Sequence, residues 1–184
     1  MLLLYLVDKK KALLYNIEKR QRGIFDMFRE MRRKKQQLSE KECFDILENG
    51  TSGVLAVSGE NNYPYAVPLS YVFSDGKIYF HCAKQGYKLD CIKNNDKVSF
   101  CVIGQDNVIQ SEFRTVYKSV ILFGHARILE DESEIFHSIR TLSQKYSPDV
   151  PEEEHLAEIE KFKNALCMVE ITPEHITGKK SKDT

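Results

Sequence analysis

The dipeptide Asp75-Gly76, set between the runs Tyr65–Phe73 and Lys77–Cys82, constrains this chain more than any other feature. Both runs are rich in β-branched and aromatic residues, and Asp-Gly readily takes the two positive-φ positions of a tight hairpin turn. The chain therefore doubles back here into an antiparallel pair. The second run ends in Phe80-His81-Cys82-Ala83-Lys84, and Gly86 and Lys88 lead into a short helical pattern over Tyr87–Asn94, with Leu89 and Ile92 on one face. A strand edge that feeds a glycine, two lysines and a helix N-terminus suits a phosphate group.

The other elements follow from local signals. Ser39-Glu40-Lys41-Glu42 is a capping-box pattern and predicts a helix through Leu47, ended by Asn49-Gly50. Gly53–Ser58 reads as a strand, Gly59–Asn62 as a turn, and Lys97–Ile103 and Ser119–Leu129 as further strands. Ile135, Ile139, Leu142 and Tyr146 share a helical face opening at the acidic run Glu130–Glu134. Pro148 and Pro151 end that helix, and the next carries Leu156, Ile159 and Phe162 on one face. Ala165–Thr172 reads as the last strand and Lys179–Thr184 as a polar tail. Six strands in hairpin-like order, with helices inserted and no βαβ alternation, give a mainly β fold: an antiparallel barrel, closed or partly open.

Composition narrows the function. The 184 residues carry no net charge, yet residues 1–41 hold 12 Lys/Arg against 5 Asp/Glu, and the rest 15 against 22. An acidic body excludes generic nucleic-acid affinity, which depends on neutralising phosphates. Residues 1–30 read as a basic extension and residues 31–184 as the domain. Within the head, Ile24, Phe25, Phe28 and Met31 have helical spacing. That head reads as a frayed helical extension, or as leader upstream of a start at Met27 or Met31, rather than as a membrane-surface helix. The apolar stretch Met1–Val7 is too short for a membrane span and lacks a basic flank before it. Five cysteines without a CxxC pair or zinc-like spacing fit a reducing cytoplasm. No G-x-S-x-G, H-E-x-x-H, P-loop or G-x-G-x-x-G pattern is present, which removes the common hydrolase, zinc-protease and nucleotide-binding classes.

Five pieces in order resemble a known group. They are Tyr63-Pro64-Tyr65 with Val67–Tyr71; Asp75–Ala83; Gly86–Asp90; Tyr117–Ile121 running on to Phe123–Ala126; and Ile176–Lys180. The chain resembles the FMN-binding split-barrel superfamily related to pyridoxamine 5′-phosphate oxidase, and within it the nitroimidazole-resistance type of flavoprotein. The resemblance implies a six-stranded antiparallel split barrel flanked by helices. It also implies a homodimer with FMN at the subunit interface and an FMN-dependent oxidoreductase acting on a small acceptor, nitroaromatics included. A non-enzymatic flavin- or haem-binding module is the alternative, with His81 or His125 as the haem ligand.

Carried over by position, Val67, Pro68, Leu69, Ser70 and Tyr71 lie along the flavin ring. His81, Cys82 and Ala83 line the ring and ribityl side, with His81 as the catalytic residue. Lys88 and Lys84 take the phosphate, and Ser119 is a polar cofactor contact. No metal is implied. Two departures stand out: Cys82 replaces a common serine, and Tyr65–Ser70 lacks the arginine and lysine of pyridoxamine-phosphate oxidases proper. The second argues against oxidation of pyridoxamine phosphate itself.

Overall fold

The computed structural model describes residues 27–182. Seven antiparallel strands form one sheet: β1 (Ser52–Ser58), β2 (Pro64–Ser70), β3 (Val72–Ser74), β4 (Lys77–Ala83), β5 (Lys97–Ile109), β6 (Arg114–Ile128) and β7 (Leu166–Lys180). Their order across the sheet is β2-β1-β5-β6-β7-β4-β3. Four α-helices accompany them among the described residues: α1 (Glu40–Asn49), α2 (Tyr87–Asn94), α3 (Glu132–Tyr146) and α4 (Glu152–Phe162).

The Asp-Gly turn forms as the sequence requires. Asp75 and Gly76 have φ of 53° and 76°, and Ser74 pairs with Lys77 across a two-residue loop. The segment before it differs from expectation. Tyr65–Phe73 is two strands, β2 and β3, which stand at opposite edges of the sheet with Tyr71 alone between them. A flat sheet of this width would hold its edges about 29 Å apart. One intervening residue spans no more than about 7.6 Å from Ser70 to Val72. The sheet therefore curls until its edges meet. Since no ladder joins β2 to β3, the barrel stays split: seven strands and open, where six were expected.

Leu55, Val57, Ile78, Phe80, Phe100, Val102, Val120, Leu122, Val169 and Ile171 fill the barrel, and α1 adds Cys43 and Leu47 from one end. The capping box holds α1 as read, with Ser39 and Glu42 bonding reciprocally. On the outside of β3, β4 and β7, α3 packs Ile139 and Leu142 against Val72, Tyr79, Leu129 and Met168. Asp131 caps α3, accepting from the Ser133 and Glu134 N–H groups.

Several boundaries move. Strands β5 and β6 run on as a paired arm through residues 104–118, and β7 continues to Lys180, so Lys179 and Lys180 are strand rather than tail. In α4 only Ile159 of the expected face packs inward. Leu156 and Phe162 are exposed, and His155 is buried with Nδ1 2.6 Å from Ser143 Oγ. Phe28 and Met31 are not helical; Phe28 stacks on His175 with ring centroids 4.7 Å apart. Ile24, Phe25 and the rest of residues 1–26 lie outside the described residues.

A charge network missed in the sequence ties α3 to the sheet. Glu170, only 3% exposed, accepts from Lys77 Nζ at 3.0 Å and from Arg127 at 2.9 and 3.1 Å. Arg127 also grips Glu134 of α3 at 2.6 and 2.9 Å. Burial pushes the Glu170 carboxyl up, but its bonds to Arg127 and Lys77 more than offset this and hold it below the ordinary value.

Two predictions follow from this packing. The buried Tyr71 hydroxyl donates to the Leu47 carbonyl at 2.8 Å, so Tyr71→Phe strands that acceptor and should cost about 1–3 kcal/mol in urea unfolding. A loss near zero would mean water replaces the bond. Because the folded-state pKa of Glu170 is depressed, its contribution is present above the ordinary carboxylate range and is lost as pH falls through the folded value. Glu170→Gln should therefore cost about 3 kcal/mol at neutral pH and make the loss of stability below about pH 4 shallower. An unchanged acid limb would contradict this.

Candidate functional site

Strand β4 delivers the sequence-read residues in alternation. Ile78 and Phe80 point into the barrel, whereas His81 and Ala83 are exposed on the face that Tyr79 shares. The His81 backbone pairs with Met168 of β7, but among the described residues its side chain has no hydrogen bond or ion pair. Cys82 turns inward at the end of the strand, half-buried and directly opposite Cys167 of β7. Burial lifts the Cys82 thiol to about 11, Cys167 adding to the shift and Lys88 opposing it.

After Ala83 the chain crosses Lys84, Gln85 and Gly86 into α2. Gly86 has φ 144° and ψ 157°, a conformation that side-chain-bearing residues rarely adopt, and a Cβ there would meet nothing within 4 Å. The glycine thus serves the turn and leaves open space in front of it. No side chain caps α2; the Leu89 and Asp90 N–H groups donate to the Gly86 carbonyl at 2.9 and 3.3 Å, which leaves those of Tyr87 and Lys88 for solvent or an anion. The Tyr87 hydroxyl accepts from the Glu60 N–H at 2.6 Å, and its ring meets Tyr65 edge-on at 5.0 Å. These contacts pin the start of α2 to the β1–β2 turn, so the lysine-bearing segment is held beside the start of β2.

Lys84, Lys88 and Lys93 all act electrostatically on Cys167. Lys84 and Lys93 join Arg127 and Lys163 around a cavity of about 740 Å³ whose apolar lining includes Leu89, Ile92, Leu166 and Met168. The structure thus brings Cys82, Lys84 and Lys88 together at the exit of β4. It adds Cys167, Lys93 and Lys163, none of which the sequence singled out for the site. Cys167 arrives by a long-range strand register that no local motif encodes, whereas Lys93 lies in α2 and Lys163 follows α4.

The run Val67–Tyr71 divides by the two-residue period of a strand. Pro68 and Ser70 are exposed on the outer face, whereas Val67 and Leu69 pack against the barrel core and Tyr71 is fully buried. Successive register partners place Pro68 in a row with Val54, Cys101, Ile121 and Thr177 across β2, β1, β5, β6 and β7. Ser119 lies on that outer face, opposite Ile103 and Lys179. A flat group on this face would meet Pro68, Ser70 and Ser119 through side chains, and Val67 and Leu69 only through backbone.

His125, the second histidine considered as a haem ligand, is held between two carboxylates: Asp96 at 2.7 Å on Nδ1 and Glu174 at 3.3 Å on Nε2. Among the described residues, no group of three or more His, Cys, Asp or Glu is placed to hold a metal ion. Nor is any described helix long and apolar enough to cross a membrane.

The fold is shared with solved structures. A candidate 5-nitroimidazole antibiotic resistance protein of Bacteroides thetaiotaomicron is 17% identical with a TM-score of 0.66, covering 78% of this chain and 85% of that one. An FAD-binding protein of Mesorhizobium loti is 25% identical with a TM-score of 0.59, covering 80% and 98%. An FAD- and haem-binding protein of Mycobacterium smegmatis is 18% identical with a TM-score of 0.66, covering 80% and 74%. No curated protein matches the chain. The family model described as pyridoxamine 5′-phosphate oxidase, however, matches residues 39–180, from the cap of α1 to the last residue of β7, and the chain therefore belongs to the pyridoxamine 5′-phosphate oxidase family.

Proposed function

We propose that this protein is a flavin-dependent oxidoreductase that binds FMN between two copies of the chain and reduces a small acceptor, nitroaromatics included. The observation that carries the reading is the exit of β4, where Lys84 and Lys88 flank Gly86 in the chain, the space in front of Gly86 is open and no side chain caps the first turn of α2. That arrangement fits a terminal phosphate, which needs cations and N–H donors together. The similarity to an FAD-binding protein at 25% identity supports a flavin. FMN is the flavin that the family resemblance implies.

The bound flavin would supply reversible hydride and electron transfer. The chain's own residues do the rest. Lys84 and Lys88 neutralise the phosphate. Pro68 and Ser70 support the ring, and Ser119 offers a hydroxyl at its polar edge. His81, exposed and unengaged among the described residues, positions the acceptor and donates a proton as charge builds on it. β2 carries no arginine or lysine, so pyridoxamine phosphate is not the proposed substrate.

The second copy is argued from exposed apolar surface. Ile103 and Val108 of β5 are 65% and 68% exposed, and Phe113 at the tip of the arm is 99% exposed in a left-handed conformation, φ 49°. A bulky side chain strained and fully exposed in this way suits an arm that reaches onto another chain. A binding module without turnover remains the rival reading, and His81 would then be its free ligand.

Light scattering and FMN titration of the purified protein test the proposal together. A dimer that binds FMN is expected. Lys88→Ala should weaken FMN by about tenfold or more, in line with loss of a charge-assisted hydrogen bond. His81→Gln should retain FMN but lose about a hundredfold in reduction of a nitroaromatic. Full FMN affinity in Lys88→Ala would contradict the phosphate site, and undiminished turnover in His81→Gln would contradict the role of His81.

A further inference from the structure

We propose that Cys82 and Cys167 form a reversible dithiol–disulfide pair, oxidised by a hydroperoxide that reaches Cys167 through the cavity this thiol lines. The pair occupies opposed positions in the β4–β7 ladder, between His81↔Met168 and Ala83↔Leu166. Residues opposed in an antiparallel ladder lie on one face with Cα atoms about 4.5–5.5 Å apart. That is inside the range of about 4.4–6.8 Å that a disulfide spans without backbone movement. Among the other cysteines, Cys43 and Cys91 are fully buried, and Cys101 stands opposite Val54 and Ile121 in its ladders.

The surroundings distinguish the two sulfurs. Both side chains pack against the barrel core, but Cys82 does not reach the cavity. Cys167 lines the cavity, and Lys93, Lys84 and Lys88 all favour a negative charge on its sulfur. Cys167 is accordingly the attacking thiol and Cys82 the resolving one. Burial opposes ionisation of both, so the reaction is slow at neutral pH and quickens as pH rises.

The chemistry balances with hydrogen peroxide as oxidant. The Cys167 thiolate attacks one oxygen, an S–O bond forms, the O–O bond breaks, and the departing hydroxide takes a proton to leave as water. The Cys82 sulfur then attacks the Cys167 sulfur; an S–S bond forms, the S–O bond breaks, and hydroxide departs with the Cys82 proton as a second water. Two thiols lose two electrons in total and the peroxide gains them. A small dithiol reductant reverses the result.

The test needs no flavin. The full chain is treated with hydrogen peroxide, alkylated, digested without reduction and mapped by mass spectrometry. The expected product is a linked peptide pair containing Cys82 and Cys167, lighter by two hydrogens and released by dithiothreitol. Its rate should rise roughly tenfold from about pH 7 to about pH 8, following the thiolate fraction. Cys82→Ser should leave Cys167 as a sulfenic acid that dimedone traps, and Cys167→Ser should leave Cys82 open to alkylation. A folded protein in which Cys82 and Cys167 both stay reduced while Cys101 oxidises would overturn the proposal. So would a crosslink that joins either of them to Cys101.

Discussion

The passage through Tyr71 is the constraint on which the rest of this structure depends. The chain leaves one edge of a seven-stranded sheet and enters the other in a single residue, so the sheet has no flat alternative. The polar groups of that residue are satisfied by two helices, α1 for the hydroxyl and α3 for the backbone. Its hydroxyl serves the last turn of α1 through Leu47, and its N–H donates to the Tyr146 hydroxyl of α3 at 3.0 Å. The same Tyr146 hydroxyl reaches the Thr51 carbonyl, with the Tyr71 carbonyl at 3.1 Å. Lys145 sits 4.5 Å above the Tyr71 ring and donates to the Gly50 carbonyl at 2.5 Å. Both ends of the fold are thus latched at the seam, which explains why a fully buried tyrosine stands where the strand-like run gave no sign of a break.

Curling the sheet also creates the site. With β2 and β3 adjacent, the exit of β4 comes back beside the start of β2, and Tyr87 fixes that approach through Glu60 and Tyr65. Lys84, Gly86 and Lys88 are close in sequence, so the proposed cradle is a local device. Pro68, Ser70 and Ser119 come from opposite halves of the chain and share a surface only because β1 and β5 intervene between β2 and β6.

What the sequence disclosed follows the same division. The Asp75-Gly76 turn, the Ser39–Glu42 capping box and the apolar face of α3 are short-range features, and each appears where the residues put it. The break at Tyr71 was illegible because Ser70, Tyr71 and Val72 carry no turn chemistry; the corner is made by partners 24 and 75 residues away. The β5–β6 arm was missed because residues 104–118 lack apolar alternation, their pairing being enforced by the hairpin itself. In α4 the apolar pattern pointed to Leu156, yet His155 is the residue that is buried, with Ser143 as its partner. Within the site, a run such as Val67–Tyr71 cannot offer every side chain to one ligand, a limit set by strand geometry rather than by residue type. The register of Cys82 with Cys167 and the Glu170 cluster are long-range facts that only the folded sheet reveals.

Whether this split barrel is a flavoprotein is tested by the absorption spectrum of the freshly purified protein, followed by that of whatever acid releases from it. The absorption bands of a bound flavin are expected, together with a released chromophore that behaves as FMN. A colourless protein that binds no added FMN would contradict it, as would a Soret band with no flavin released.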